Sequence, residues 1–168
     1  LAHEAGIAAV EAHIAGLPHL DLLVNNAGFG IGGAFAGSDV AGQAAMLNVH
    51  MMAPMRLARA ALPGMIARRS GGIINVASLA AFMALQNSVN YCATKAYLAT
   101  FSRALAAEVR PYGVRVQALC PGFTVTEFHD RLEGDFPRDR SPRLLWGAAE
   151  AVVRASLRDL AHGRVICV

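Results

Sequence analysis

The chain has 168 residues, 55% of them hydrophobic, with fifteen Lys or Arg against twelve Asp or Glu and a formal net charge of +3. That length suits one domain with a sizeable buried core, and the apolar fraction excludes an intrinsically disordered chain. The basic residues are scattered, with no stripe interleaved with aromatics, so a nucleic-acid partner is not expected.

Cys92, Cys120 and Cys167 are odd in number and far apart. This speaks against a disulfide framework and for a reducing compartment, taken here as the cytoplasm. None of the six histidines pairs with a cysteine or acid at metal-ligand spacing, so no metal site is expected. The opening stretch carries Glu4 and Glu11 and lacks a basic start, unlike a signal peptide. Residues 70–94 are uncharged, but Asn75, Gln86, Asn87 and Asn90 would be penalised in a bilayer core, so no membrane span is expected.

In chain order, Ile7, Val10, Ile14 and Leu17 share one face of an opening amphipathic helix that Pro18 ends. LDLLVNNAG then reads as a buried strand followed by a glycine-rich loop. Ser38 or Asp39 caps a long helical stretch reaching Arg69, with a kink expected at Pro54. GGIINVAS at 71–78 is a second buried strand, and residues 90–110 a second long helix stopped by Pro111 and Gly113. VRVQALCPG at 114–122 is a third strand, residues 148–160 a shorter helix, and RVICV a fourth strand. Strands alternating with helices of this length predict an α/β fold, a Rossmann-like parallel sheet with helices on both faces. Residues 1–168 read as a single domain cut at both ends.

Gly28, Gly30 and Gly33 spell G-x-G-x-x-G directly after a strand. The dinucleotide fingerprint also needs a short helix, a second strand and an acid about twenty residues on. That position falls near Ala53, with no strand until Gly72, so these glycines read instead as a flexible loop at the mouth of a site. Tyr91 and Lys95 stand at i and i+4, on one helix face, and Lys95 is the chain's single lysine. An ammonium beside a phenol favours the phenolate and lowers its pKa. Ser78 ends a buried parallel strand thirteen residues before Tyr91, at the edge where such sheets hold ligands.

NNAG at 25–28, Asn48 in LNVHMMAPM, Ser78, YCATK at 91–95 and PGFTVT at 121–126 follow one another in a characteristic order and spacing. In this the chain resembles the short-chain dehydrogenase/reductase family over nearly its whole length. The resemblance implies an NAD(P)-dependent oxidoreductase acting on an alcohol or carbonyl. Tyr91 would be the general acid–base. Lys95 would depress the Tyr91 pKa and hold the nicotinamide ribose, and Ser78 would hold the substrate oxygen. Asn48 would support a water linking Lys95 to solvent. Asn26, Ala27 and Gly28 would line the cofactor, NAD or NADP, with Asn25 bracing the sheet. Pro121, Gly122, Thr124 and Thr126 would surround the nicotinamide. Phe29, Met83, Leu85, Phe123, Phe128 and Leu132 would surround an apolar substrate. The long helices at about 39–69 and 90–110 would make homo-oligomer contacts.

The pattern is that of the second half of a Rossmann fold, with four strands. The family's opening strand, phosphate loop and two further strands have no counterpart, and with them goes the residue that separates NAD from NADP. The NNAG strand is then expected to present an unpaired apolar edge, favouring poor stability or self-association of the segment alone. The competing reading is a half-domain without catalysis, serving as a subunit or interaction module. The intact set of catalytic residues favours the enzyme.

Overall fold

A computed structural model describes residues 1–125 and 146–168. Helix α1 (Glu4–Gly16) buries Ile7 and Ile14 and ends where the Leu17 amide turns back to the Ile14 carbonyl, just before Pro18. It lies along the later helix α3 (Ala53–Arg68), to which Arg56 ties it by pairing with Glu4 and Glu11. Glu4 is largely exposed, so the register of the two helices rests more on the buried isoleucines than on this pair.

Strand β1 (Leu22–Asn25) leads through the glycine loop to helix α2 (Val40–Leu47). Of the two expected caps, Asp39 does the work, its carboxylate accepting from the Ala41 and Gly42 amides at 3.2 and 2.7 Å. The helical path then widens into a π turn at Asn48–Met52 before α3. Pro54 explains it. Lacking an N–H, Pro54 cannot bond the His50 carbonyl, and its ring would crowd that oxygen. The chain instead closes a longer ring, from the Ala53 amide to the Asn48 carbonyl. The expected kink is therefore a π bulge one turn earlier.

Strands β2 (Gly71–Val76) and β3 (Val114–Leu119) flank helix α4 (Val89–Val109) in sequence. After β3 come a short strand β4 (Phe123–Val125), then β5 (Trp146–Ala148), helix α5 (Ala149–Ala161) and β6 (Ile166–Cys167). The main sheet is wholly parallel in the order β1-β2-β3-β6, while β4 and β5 form a separate parallel pair. This is the expected α/β, Rossmann-like sheet of four strands. The β4–β5 pair was not expected. The third strand stops at Leu119, and the apolar residues after Pro121 belong to the new pair.

Helices cover both faces. On one face Leu23, Ile73, Val114 and Val116 pack against Leu57, Met65, Ala106 and Val109 of α3 and α4. On the other, Ile74, Leu119 and Cys167 pack against Leu160 of α5. Inside the sheet, Asn25 donates to Asn75 at 2.8 Å, Asn75 to Ser102 at 2.9 Å, and Ser102 to the Leu98 carbonyl at 2.7 Å. Asn25 thus braces β1 to β2 and α4, as the family resemblance implied. Gly113, at φ +74°, lets the end of α4 meet the α3–β2 turn, where a Cβ would stand 2.4 Å from the Arg69 carbonyl oxygen. β1 lies at one edge of the sheet, and its Val24 is 49% exposed. Among the described residues no strand pairs with its outer side, and no helix is long and apolar enough to cross a membrane.

Candidate active site

The carboxyl ends of β1, β2 and β3 converge, and every sequence-expected site residue among those described except Asn48 lies on or beside that edge. The Ala77 amide bonds the Leu119 carbonyl and the Leu79 amide bonds the Pro121 carbonyl, so the β2 and β3 exits run together past the last strand residues. Such an edge is where open α/β sheets bind ligands.

Ser78 leaves β2 in extended backbone and caps the short turn at Leu79–Phe82, its oxygen accepting from the Ala80 amide at 3.1 Å. Its hydroxyl hydrogen-bonds the Tyr91 phenol. The thirteen-residue separation therefore does bring the two oxygens together. Lys95, one turn further along α4, is only 5% exposed. Its Nζ donates to the Val76 carbonyl at 2.9 Å and stands 5.6 Å from the Tyr91 ring centroid.

The electrostatics differ from the sequence expectation in one respect. Burial pushes the Tyr91 phenol up, and the Ser78 hydroxyl pulls only partly the other way. Lys95 stands beside the ring with its ammonium on the Val76 carbonyl, and burial prevails. Burial also lowers Lys95 itself, to about 8, with the Cys120 thiol opposing. Lys95 thus remains mostly charged at neutral pH but holds its proton far less firmly than a surface lysine.

Asn26, Ala27 and Gly28 are exposed at the end of β1, the open side of the site. A Cβ on Gly28 would stand 3.1 Å from His50 Nε2 and 3.7 Å from Lys95 Nζ, so the loop passes close over both. Gly30 and Gly33 do not open a helix; a short turn at Phe35–Gly37 follows, and α2 begins only at Val40. The G-x-G-x-x-G string is thus no dinucleotide fingerprint. The loop is also braced, by the Phe29 amide on His50 at 3.2 Å and the Gly33 amide on the Asn87 carbonyl at 3.1 Å.

Pro121 and Gly122 follow β3, and the Thr124 hydroxyl turns back onto the Gly122 carbonyl at 3.2 Å. Thr126, Phe128 and Leu132 lie outside the described residues. Met83 and Leu85 are exposed just beyond Ser78, beside exposed Phe82. Asn48 begins the π turn, and its side chain donates to the Ala2 carbonyl at 2.8 Å, away from the Ser78, Tyr91 and Lys95 group. Two residues in this neighbourhood carried no sequence signal. His50 and Thr94, both buried, hydrogen-bond each other at 2.9 Å between the π turn and α4. A lone histidine in an apolar stretch reads as core, and only its place two residues after Asn48 could have drawn attention to it.

The family model for short chain dehydrogenase matches residues 2–135. Among curated relatives, a ketoacyl reductase of Nostoc is 38% identical over 104 residues, covering 62% of this chain and 36% of that protein. A 3-ketodihydrosphingosine reductase of Bacteroides thetaiotaomicron is 35% identical over 122 residues, covering 73% of this chain and 45% of that protein. A short-chain dehydrogenase from Sphingobium yanoikuyae, solved in complex with NADPH, superposes with TM-score 0.90 at 28% identity. That superposition covers 99% of this chain and 64% of the other. The chain therefore spans less than half of those two curated relatives and about two thirds of that solved neighbour. With the parallel sheet, the Ser78–Tyr91 pair and the buried lysine in place, the chain belongs to the short-chain dehydrogenase family.

Proposed function

We propose that the protein moves hydride between NAD or NADP and an apolar alcohol or ketone, with Tyr91 as the acid–base. The observation that carries this reading is the Ser78 hydroxyl on the Tyr91 phenol, with the Lys95 ammonium 5.6 Å from that ring, at the carboxyl edge of the sheet. Adding or removing a proton at the reacting oxygen needs an acid or base already aimed at that position. The two hydroxyls supply it.

The residues present suit the nicotinamide end of such a cofactor. Gly28 leaves room above Lys95, and the ammonium makes one hydrogen bond among the described residues, to Val76, so further N–H donors face the loop. Lys95 would hold the ribose hydroxyls, Asn26, Ala27 and Gly28 would line one side, and Pro121, Gly122, Thr124 and Thr126 the other. The nicotinamide supplies or accepts the hydride when bound. In reduction, the Ser78 hydroxyl turns from Tyr91 to the carbonyl oxygen, and Tyr91 delivers its proton to that same oxygen. Lys95 then sits beside a phenolate and stabilises it. Exposed Phe82, Met83 and Leu85 would meet the apolar part of the substrate.

The full-length protein should oxidise NADH or NADPH in the presence of at least one bulky apolar ketone and reverse the reaction with the matching alcohol. Silence with both cofactors across an apolar panel would defeat the proposal and favour a non-catalytic role.

A homo-oligomer belongs to the same reading. The outer face of α4 lines an open cavity of about 470 Å³ with Ala93, Ala96, Tyr97, Thr100, Phe101 and Ala104, small and aromatic residues suited to a facing helix. Ala96→Arg is expected to lower the sedimenting mass of the full-length protein; an unchanged mass would place the contact elsewhere. Buried free thiols at Cys92, Cys120 and Cys167 accord with a cytoplasmic setting.

A further inference from the structure

The glycine loop and the turn of α4 that carries Tyr91 are joined by one directional chain of hydrogen bonds. The Phe29 amide donates to His50 Nε2 at 3.2 Å. A nitrogen that accepts from an N–H bears no proton, so in the neutral ring the proton sits on Nδ1. That nitrogen lies 2.9 Å from Thr94 Oγ1. The threonine hydroxyl already spends its own proton on the Tyr91 carbonyl, at 2.9 Å, so toward His50 it can only accept. Every donor and acceptor in the chain is thereby matched in a single direction. The alternative tautomer would face two donors at Phe29.

The ring also touches what it joins. Its edge meets the Tyr91 ring at 5.9 Å between centroids and the Phe29 ring at 6.0 Å, while Nε2 lies beneath Gly28. The ring itself is 1% exposed. We propose that His50 is a positioning residue for the reaction: it sets the distance between the Asn26–Gly28 loop and the Tyr91 turn, and so the approach of cofactor to acid–base. This rests on the dehydrogenase reading above. Burial, with the Lys95 charge adding to it, pulls the imidazole down to about 3, so the matched neutral form persists at every physiological pH.

Two measurements test it. Side-chain 15N NMR of the full-length protein should show His50 as the Nδ1–H tautomer, unchanged from pH 8 to 5. An Nε2–H tautomer, or titration near the ordinary imidazole value, overturns the proposal whether or not the protein is an enzyme. The second is kinetic. His50→Leu keeps bulk but loses both bonds, and kcat should fall about ten- to a hundredfold, the scale of a misplaced reacting group, with the ketone KM within about threefold. In a Gln side chain the carboxamide oxygen can accept from Phe29 while the NH2 donates to Thr94, so His50→Gln should restore most of that loss. A native melt with wild-type kcat in His50→Leu, or equal losses in the Leu and Gln variants, overturns the positioning role while leaving the dehydrogenase reading intact. If His50→Leu does not fold, Thr94→Val breaks the same chain and should lower kcat alone. A wild-type protein that turns over no ketone defeats the dehydrogenase reading instead, and the tautomer then decides for or against the hydrogen-bond chain.

Discussion

Tyr91→Phe should lower kcat by about a hundred- to ten-thousandfold, the range ascribed to a positioned acid–base, with cofactor affinity within a few-fold of wild type. The substitution removes only the phenol oxygen. The ring stays in edge contact with His50, and the backbone carbonyl still receives the Thr94 hydroxyl. What is lost is the partner of the Ser78 hydroxyl and the proton that a carbonyl oxygen would take. The melting temperature should move little, because a hydroxyl such as Ser78 at the site mouth can turn to water. Single-turnover kinetics beside a thermal melt checks this. Activity within tenfold of wild type would move the proton donor to another group. The upward push on the phenol adds a direction: the tyrosine is protonated at neutral pH in the free protein, the state that ketone reduction requires.

The second large effect is on stability in acid. His50 is held at about 3 against an ordinary imidazole value of 6.5. With the folded value depressed, the unfolded chain takes up a proton below pH 6.5 that the folded chain refuses until about 3. Stability is therefore full above pH 6.5 and falls as the pH drops through that window. At about 1.4 kcal/mol for each pH unit, this one group removes about 3 kcal/mol by pH 4. Burial is the main cause, with the Lys95 charge adding to it. Lys95 cannot produce the same acid loss. Its value is lowered to about 8, so its own linkage lies on the alkaline side, where stability rises between about 8 and 10.5. Urea unfolding at pH 7 and pH 4 should show a steep loss for the wild-type protein and a shallower one for His50→Gln, which has nothing to titrate there. Parallel losses in the two proteins would show that His50 is not the acid-labile group.

Much of the molecule could be read one segment at a time. The apolar face through Ile7, Val10, Ile14 and Leu17, the cap at Asp39 and the β-branched run ahead of Ser78 each carry their signal within about a dozen residues, and each element forms where expected, although Val10 stays exposed and Leu17 lies just past the helix end. Tyr91 and Lys95 were legible for the same reason, since four residues on a helix fix a shared face. Ser78 needed only a strand end. What the segments did not encode was who meets whom across the fold. Phe123–Val125 pairs with Trp146–Ala148 through a contact too short and too distant to show in either stretch alone. The bulge at Asn48–Met52 arises from Pro54 acting on a carbonyl one turn back, so the kink appears displaced from its cause. Whether burial outweighs the charge beside the Tyr91 phenol is not a property of a Tyr-x-x-x-Lys spacing. His50 and Thr94 stand 44 residues apart, and only packing of the π turn against α4 makes them partners. Periodicity and capping are local, so the sequence by itself determined the four main strands, the helices between them, their order and the proposed Ser78, Tyr91 and Lys95 group. Hydrogen-bond direction, burial and their effect on proton affinity depend on every neighbour at once, and those the tertiary structure decided.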